Sequence, residues 1–125
     1  MPLQRADGSE FGRENVVCMD TGAVYGALRS PRDAGVAVVF STDGRVPALQ
    51  LSLLRDDRNF FPSYVLAPVV RADTLRKHPD LAQHLAALSA KLDSATMARL
   101  NAAVDIDNSS VEEVASSFLK ASGLM

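Results

Sequence analysis

Cysteine is nearly absent from this chain, tryptophan is missing altogether, and neither sign of charge is gathered into a block. Each scarcity removes a class of function. The lone Cys18 has no partner in the chain, which excludes an internal disulfide framework. His78 and His84 sit among helix formers with no second ligand at metal spacing, so neither a metal site nor a cofactor is expected. The 13 basic and 15 acidic side chains leave a formal net charge of -2, and no basic stripe is present to follow a phosphate backbone. Nucleic acid is not an expected partner. No apolar run approaches the ~18 residues of a membrane span, and the N-terminal segment lacks the basic-then-apolar order of a secretory signal.

What is present suits one domain's worth of α/β chain: 125 residues, enough for a single core. Residues 1–14 are polar and aperiodic and read as a loose arm. Val16, Val17, Cys18 and Met19 form a short apolar run. Asp20 or Thr21 then caps a helix that Pro31 closes. A second β-branched run over residues 36–40 completes a strand-helix-strand unit. After the Asp43-Gly44 turn, alternation of Val46, Ala48, Leu49, Leu51 and Leu53 predicts a half-exposed strand over residues 45–54. Residues 64–71 read as another strand, at an edge or bulge because Pro68 cannot donate to a ladder. Beyond them all is helical: a short helix over 73–78, a longer one after Pro79 with Leu81, Leu85, Leu88 and Leu92 on one face, and a third capped by Asp93 or Ser94. A final helix has Ser109 and Ser110 as capping-box candidates and Gly123 as its stop. Strands thus gather at the N-terminal side and helices at the C-terminal side.

The chemistry on offer is aromatic. Phe40 and Tyr64 lie at the edges of two expected strands, and no nucleophile, acid-base pair or metal set stands beside them. Each has a structural alternative, since Phe40 fits a core and the Asp43-Gly44 turn fits a simple hairpin. Asp56 and Asp57 fall between Arg55 and Arg58 and read as a solvated loop rather than a catalytic carboxylate pair. Ser41, His78 and Asp43 could be written as a triad, yet nothing orients them. The leucine stripe is a core face or a face for a partner helix. Enzymatic activity is not expected.

Four ordered segments carry a resemblance. Met19-Asp20-Thr21-Gly22-Ala23-Val24-Tyr25-Gly26-Ala27-Leu28, the aromatic-Ser-Thr-Asp-Gly-Arg motif from Phe40 to Arg45, and the Leu-x-Asp-Asp-x-x-x-Phe-Phe-Pro-x-Tyr-x-x-Ala-Pro-Val-Val-Arg segment from Leu54 to Arg71 are three of them; the fourth runs from Thr74-Leu75 to His78-Pro79-Asp80-Leu81. Together with the closing Glu113 to Leu124 stretch, they resemble the substrate-binding proteins of ABC importers for glycine betaine, choline and related quaternary ammonium osmoprotectants. The likeness is to the C-terminal half of such a protein.

That resemblance implies a portion of a two-lobed, Venus-flytrap fold of the type II periplasmic-binding-protein kind. Residues 15–50 would belong to the second lobe, and residues 51–125 would return into the first. It implies an aromatic cage with Phe40 and Tyr64 as walls and a lesser part for Ser41 and Thr42. Phe40 departs from the family's usual tyrosine, keeping the ring face without the hydroxyl. The implied partners are a quaternary ammonium ligand, the ABC permease and the absent N-terminal half, on the periplasmic or extracytoplasmic side of a membrane. Two rings are half a cage and should bind weakly alone. The rival reading is a free-standing protein-interaction domain that has lost solute binding.

Overall fold

The computed structural model describes Gly8 and residues 10–125. Most of the arm expected over residues 1–14 lies outside the described residues, and its described end holds a 3-10 turn, Arg13–Asn15. Six α-helices follow: α1 (Thr21–Leu28), α2 (Arg45–Ala48), α3 (Ala72–Lys77), α4 (Leu81–Ser89), α5 (Ser94–Asp105) and α6 (Val111–Ala121). The chain divides into two compact units. One takes the described residues up to Val39 with Ser52–Tyr64, the other Phe40–Leu51 with Val65–Met125. Residues 40–51 cluster with the C-terminal helices.

In the first unit, α1 begins where the Asp20 carboxylate accepts from the Gly22 N–H at 3.0 Å, satisfying one of the donors a helix start leaves open. The helix buries Tyr25. Its last turn gives way at Arg29 and Ser30, just before Pro31.

The second unit holds the other five helices. Asp93 caps α5 by accepting from the Thr96 N–H at 2.7 Å. Ser110 and Glu113 close a reciprocal capping box at the start of α6, and Gly123, at φ 70, ends it in the left-handed conformation that glycine adopts freely. Helix α5 packs against both α2 and α6. The α2–α5 contact is where the unit is densest, with Val46 and Ala98 both buried. Leu81, Leu85, Leu88 and Leu92 are each half-buried, so that stripe is turned partly inward.

Strands were expected over residues 15–19, 36–40, 45–54 and 64–71. Among the described residues none is assigned. For residues 45–48 the expectation is corrected outright, because they form α2. The Asp43 carboxylate accepts from the Arg45 N–H at 2.9 Å, which starts a helix, and Pro47 sits in the first turn, where its missing N–H costs nothing. For residues 36–40 the two-residue rhythm survives without a ladder: Val36, Val38 and Phe40 are exposed while Ala37 and Val39 are half-buried. A strand is defined by its neighbour's hydrogen bonds, and an apolar β-branched run supplies the side chains without supplying the neighbour.

Candidate functional site

Phe40, Ser41 and Thr42 are contiguous in one turn of the second unit, which the Asp43 N–H closes by donating to the Phe40 carbonyl at 3.1 Å. Phe40 is 59% exposed and Ser41 is exposed, while Thr42 is half-buried. Downstream, Asp43 is committed to its own motif. Arg45 donates from Nε to Oδ1 at 2.9 Å and from a terminal nitrogen to Oδ2 at 2.7 Å, a bidentate pair with Asp43 well shielded from solvent. Arg45 thus engages both carboxylate oxygens of Asp43.

The turn is fixed from a distance by α5. Asn101 Nδ2 donates to the Thr42 carbonyl at 2.7 Å, across 59 residues of sequence. Gly44 is buried hard against the same helix, and a Cβ there would come within 2.6 Å of Ala102 Cα and 2.8 Å of the Asn101 carbonyl carbon. Its φ is ordinary, so glycine is required here for close approach rather than for backbone conformation. Asn101 was not singled out from the sequence. The one available signal was a poor helix former in the interior of a helix otherwise rich in alanine.

Tyr64 belongs to the first unit and is 84% exposed. The loop that leads to it is organised by Asp56, whose two oxygens accept from the Phe60 N–H at 2.9 Å and the Phe61 N–H at 2.8 Å. Those bonds to Phe60 and then Phe61 hold the Asp56 carboxyl below the usual carboxylate range. Asn59 takes a positive φ of 51 to let the loop turn back, and the Phe60 and Phe61 rings meet edge to face at 5.1 Å. Asp56 is thus a loop clasp, not half of an acid-base pair. Phe40 and Tyr64 each expose an aromatic ring, and only Tyr64 carries a hydroxyl.

A shallow apolar groove of about 350 Å³ lies elsewhere in the second unit, lined by Pro68, Val70, Leu75, Leu85 and their neighbours on α4. It contains none of the expected site residues. Among the described residues no cluster of metal-ligating side chains is found, and no helix is long and apolar enough to cross a membrane.

Residues 3–121 match the family OpuAC, the substrate binding domain of ABC-type glycine betaine transport systems. The chain belongs to that family. It is 39% identical over 119 residues to a glycine-betaine-binding protein of Pseudomonas aeruginosa, covering 95% of this chain and 38% of that protein. The glycine betaine-binding protein YehZ of Escherichia coli is 32% identical over 97% of the chain, which spans 41% of YehZ. A crystal structure of a glycine betaine/carnitine/choline ABC transporter superposes with a TM-score of 0.88 at 35% identity, over 98% of this chain and 44% of the other. This OpuAC chain therefore spans about two-fifths of the length of the relatives it matches, with the fold of the matched portion. Its family is one of substrate binding, not of catalysis.

Proposed function

We propose that this OpuAC chain is the C-terminal portion of the solute-binding component of an ABC importer, with Phe40 and Tyr64 serving as walls of an aromatic cage for a quaternary ammonium ligand. The observation that carries the reading is the family match over residues 3–121 combined with two unburied rings at the motif positions. Glycine betaine, choline and carnitine share a trimethylammonium group, a large cation that donates no hydrogen bond. Such a group is held by ring faces, through the quadrupole of each ring, at about 0.5 to 2 kcal/mol per ring. Ser41, exposed beside Phe40, and Thr42 play a lesser part, toward the ligand's polar end.

Phe40 gives a ring face with no hydroxyl, so this wall contributes cation-π attraction without a polar contact. The remaining walls come from the N-terminal half, and the permease receives the loaded protein on the extracytoplasmic side. Fragment status agrees with the burial pattern. Among the described residues only Tyr25, Val46 and Ala98 among the apolar side chains are buried, while Val65, Leu66 and Val69 stand at least three-quarters exposed. Calorimetric titration of glycine betaine into the binding protein that carries this sequence tests the assignment. Tyr64→Ala should weaken binding more than about tenfold, as loss of a desolvated cation-π wall requires. Unchanged affinity removes Tyr64 from the cage.

A further inference from the structure

The turn bearing Phe40 has no regular secondary structure of its own, yet it is pinned at three points immediately downstream. Asn101 Nδ2 holds the Thr42 carbonyl at 2.7 Å, Arg45 grips both oxygens of Asp43, and Gly44 lies against the α5 backbone at Asn101 and Ala102. The Asp43 N–H then ties back to the Phe40 carbonyl at 3.1 Å. Of these restraints only Asn101 links the turn by a side chain to a separate, well-formed helix. Asparagine is also a costly choice at this place. It disfavours a helix interior relative to alanine, and α5 has alanine at positions 98, 102 and 103. A local propensity broken in this way marks a position held for something other than helix formation.

We propose that Asn101 is a positioning residue for ligand binding, which acts through the Thr42 carbonyl to fix the turn that presents Phe40 and Ser41; this rests on the cage reading above. An amide is the chemistry the position needs. The half-buried Thr42 carbonyl accepts and cannot donate, so its partner must be an N–H or O–H. Alanine would leave the carbonyl to water or to nothing, and aspartate would face it with a second acceptor. The Phe40 ring would then sample several orientations, and a ring wall is useful to a cation only with its face turned toward it.

The test uses the intact binding protein that carries this sequence, with glycine betaine as probe; the initial slope of the Phe40 and Tyr64 ring shifts against ligand concentration is followed by NMR for each variant. Asn101→Ala and the near-isosteric Asn101→Asp should each reduce the Phe40 slope by about fivefold, the worth of one hydrogen bond in a binding equilibrium, and should change the Thr42 and Asp43 amide shifts without ligand. Tyr64, in the other unit, should keep its response. Arg99→Gly loosens α5 at an exposed site without touching Thr42, and should leave both slopes unchanged once the folded fraction is taken into account. If both Asn101 variants keep the wild-type slope, or if Arg99→Gly lowers it equally, the positioning role is overturned while the cage reading stands. If the unmodified intact protein shows no response at either ring, the cage reading fails and takes the inference with it.

Discussion

Single residues decide how the two loops of this OpuAC chain are held. Asp56 accepts two backbone N–H bonds as a carboxylate, from Phe60 and Phe61, and these lower its folded-state pKa from the ordinary carboxylate value. A depressed pKa means the stabilisation is complete above the unfolded value and is lost as pH falls through the folded one. The Phe60 and Phe61 amides should therefore keep their hydrogen-bonded shifts at neutral pH and lose them below the ordinary carboxylate range, as an NMR pH titration will read; Asp56→Asn should give the acid-like spectrum at pH 7. Amide shifts that stay fixed through the acid range would show that the clasp is not made by this carboxylate. The Asn101–Thr42 bond joins two neutral groups, so that bond has no titrating partner of its own. At Gly44 the constraint is steric. A methyl group there overlaps the α5 backbone rather than a flexible side chain, so Gly44→Ala should cost about 1 to 3 kcal/mol in urea unfolding. A variant as stable as the parent would mean that α2 and α5 can separate freely.

At the scale of elements, the helices follow from local chemistry. Residue type and spacing narrow each cap to a pair, Asp20 or Thr21, Asp93 or Ser94, Ser109 or Ser110, and the structure uses Asp20, Asp93 and Ser110, with Gly123 as the expected stop. Ser110→Ala removes one half of a reciprocal pair and should lower stability by about 1 kcal/mol, visible as an earlier urea midpoint with an unchanged slope. What could not be read locally was anything fixed by a distant partner. Val46, Ala48, Leu49 and Leu51 alternate well enough for a strand, but Asp43 caps the Arg45 N–H and Val46 is buried near α5, which decides for a helix. The runs at 36–40 and 64–71 carry strand-like side chains without the neighbour that would make them strands. The same limit applies to the site. Phe40 and Tyr64 stand out as residues, whereas the hand that holds Phe40's turn lies 59 residues from Thr42 and announces itself only as an awkward asparagine.

At the scale of the whole molecule, the two units are unequal, and their stabilities should differ. The first contains α1 as its only α-helix among the described residues, with Tyr25 as its one buried apolar side chain. The second contains five helices, two with side-chain caps, buried Val46 and Ala98, and a close approach of Gly44 to the α5 backbone. Local opening costs least where few apolar contacts must be broken, so exchange protection should follow this asymmetry. Amides in the middle of α5 should exchange at least about tenfold more slowly than those of α1, a difference of about 1.4 kcal/mol in opening free energy. The cage reading gives that asymmetry a consequence. Phe40 belongs to the second unit, where Asn101 holds its turn, and Tyr64 to the first, where Asp56 clasps the loop before it. A ligand that engages both rings should then raise protection in α1 as well as in α5, because opening at either ring releases it. Hydrogen exchange with and without glycine betaine measures both quantities in one experiment. Equal protection of α1 and α5 without ligand would show a single cooperative body, and a ligand effect confined to α5 would leave Tyr64 outside the site.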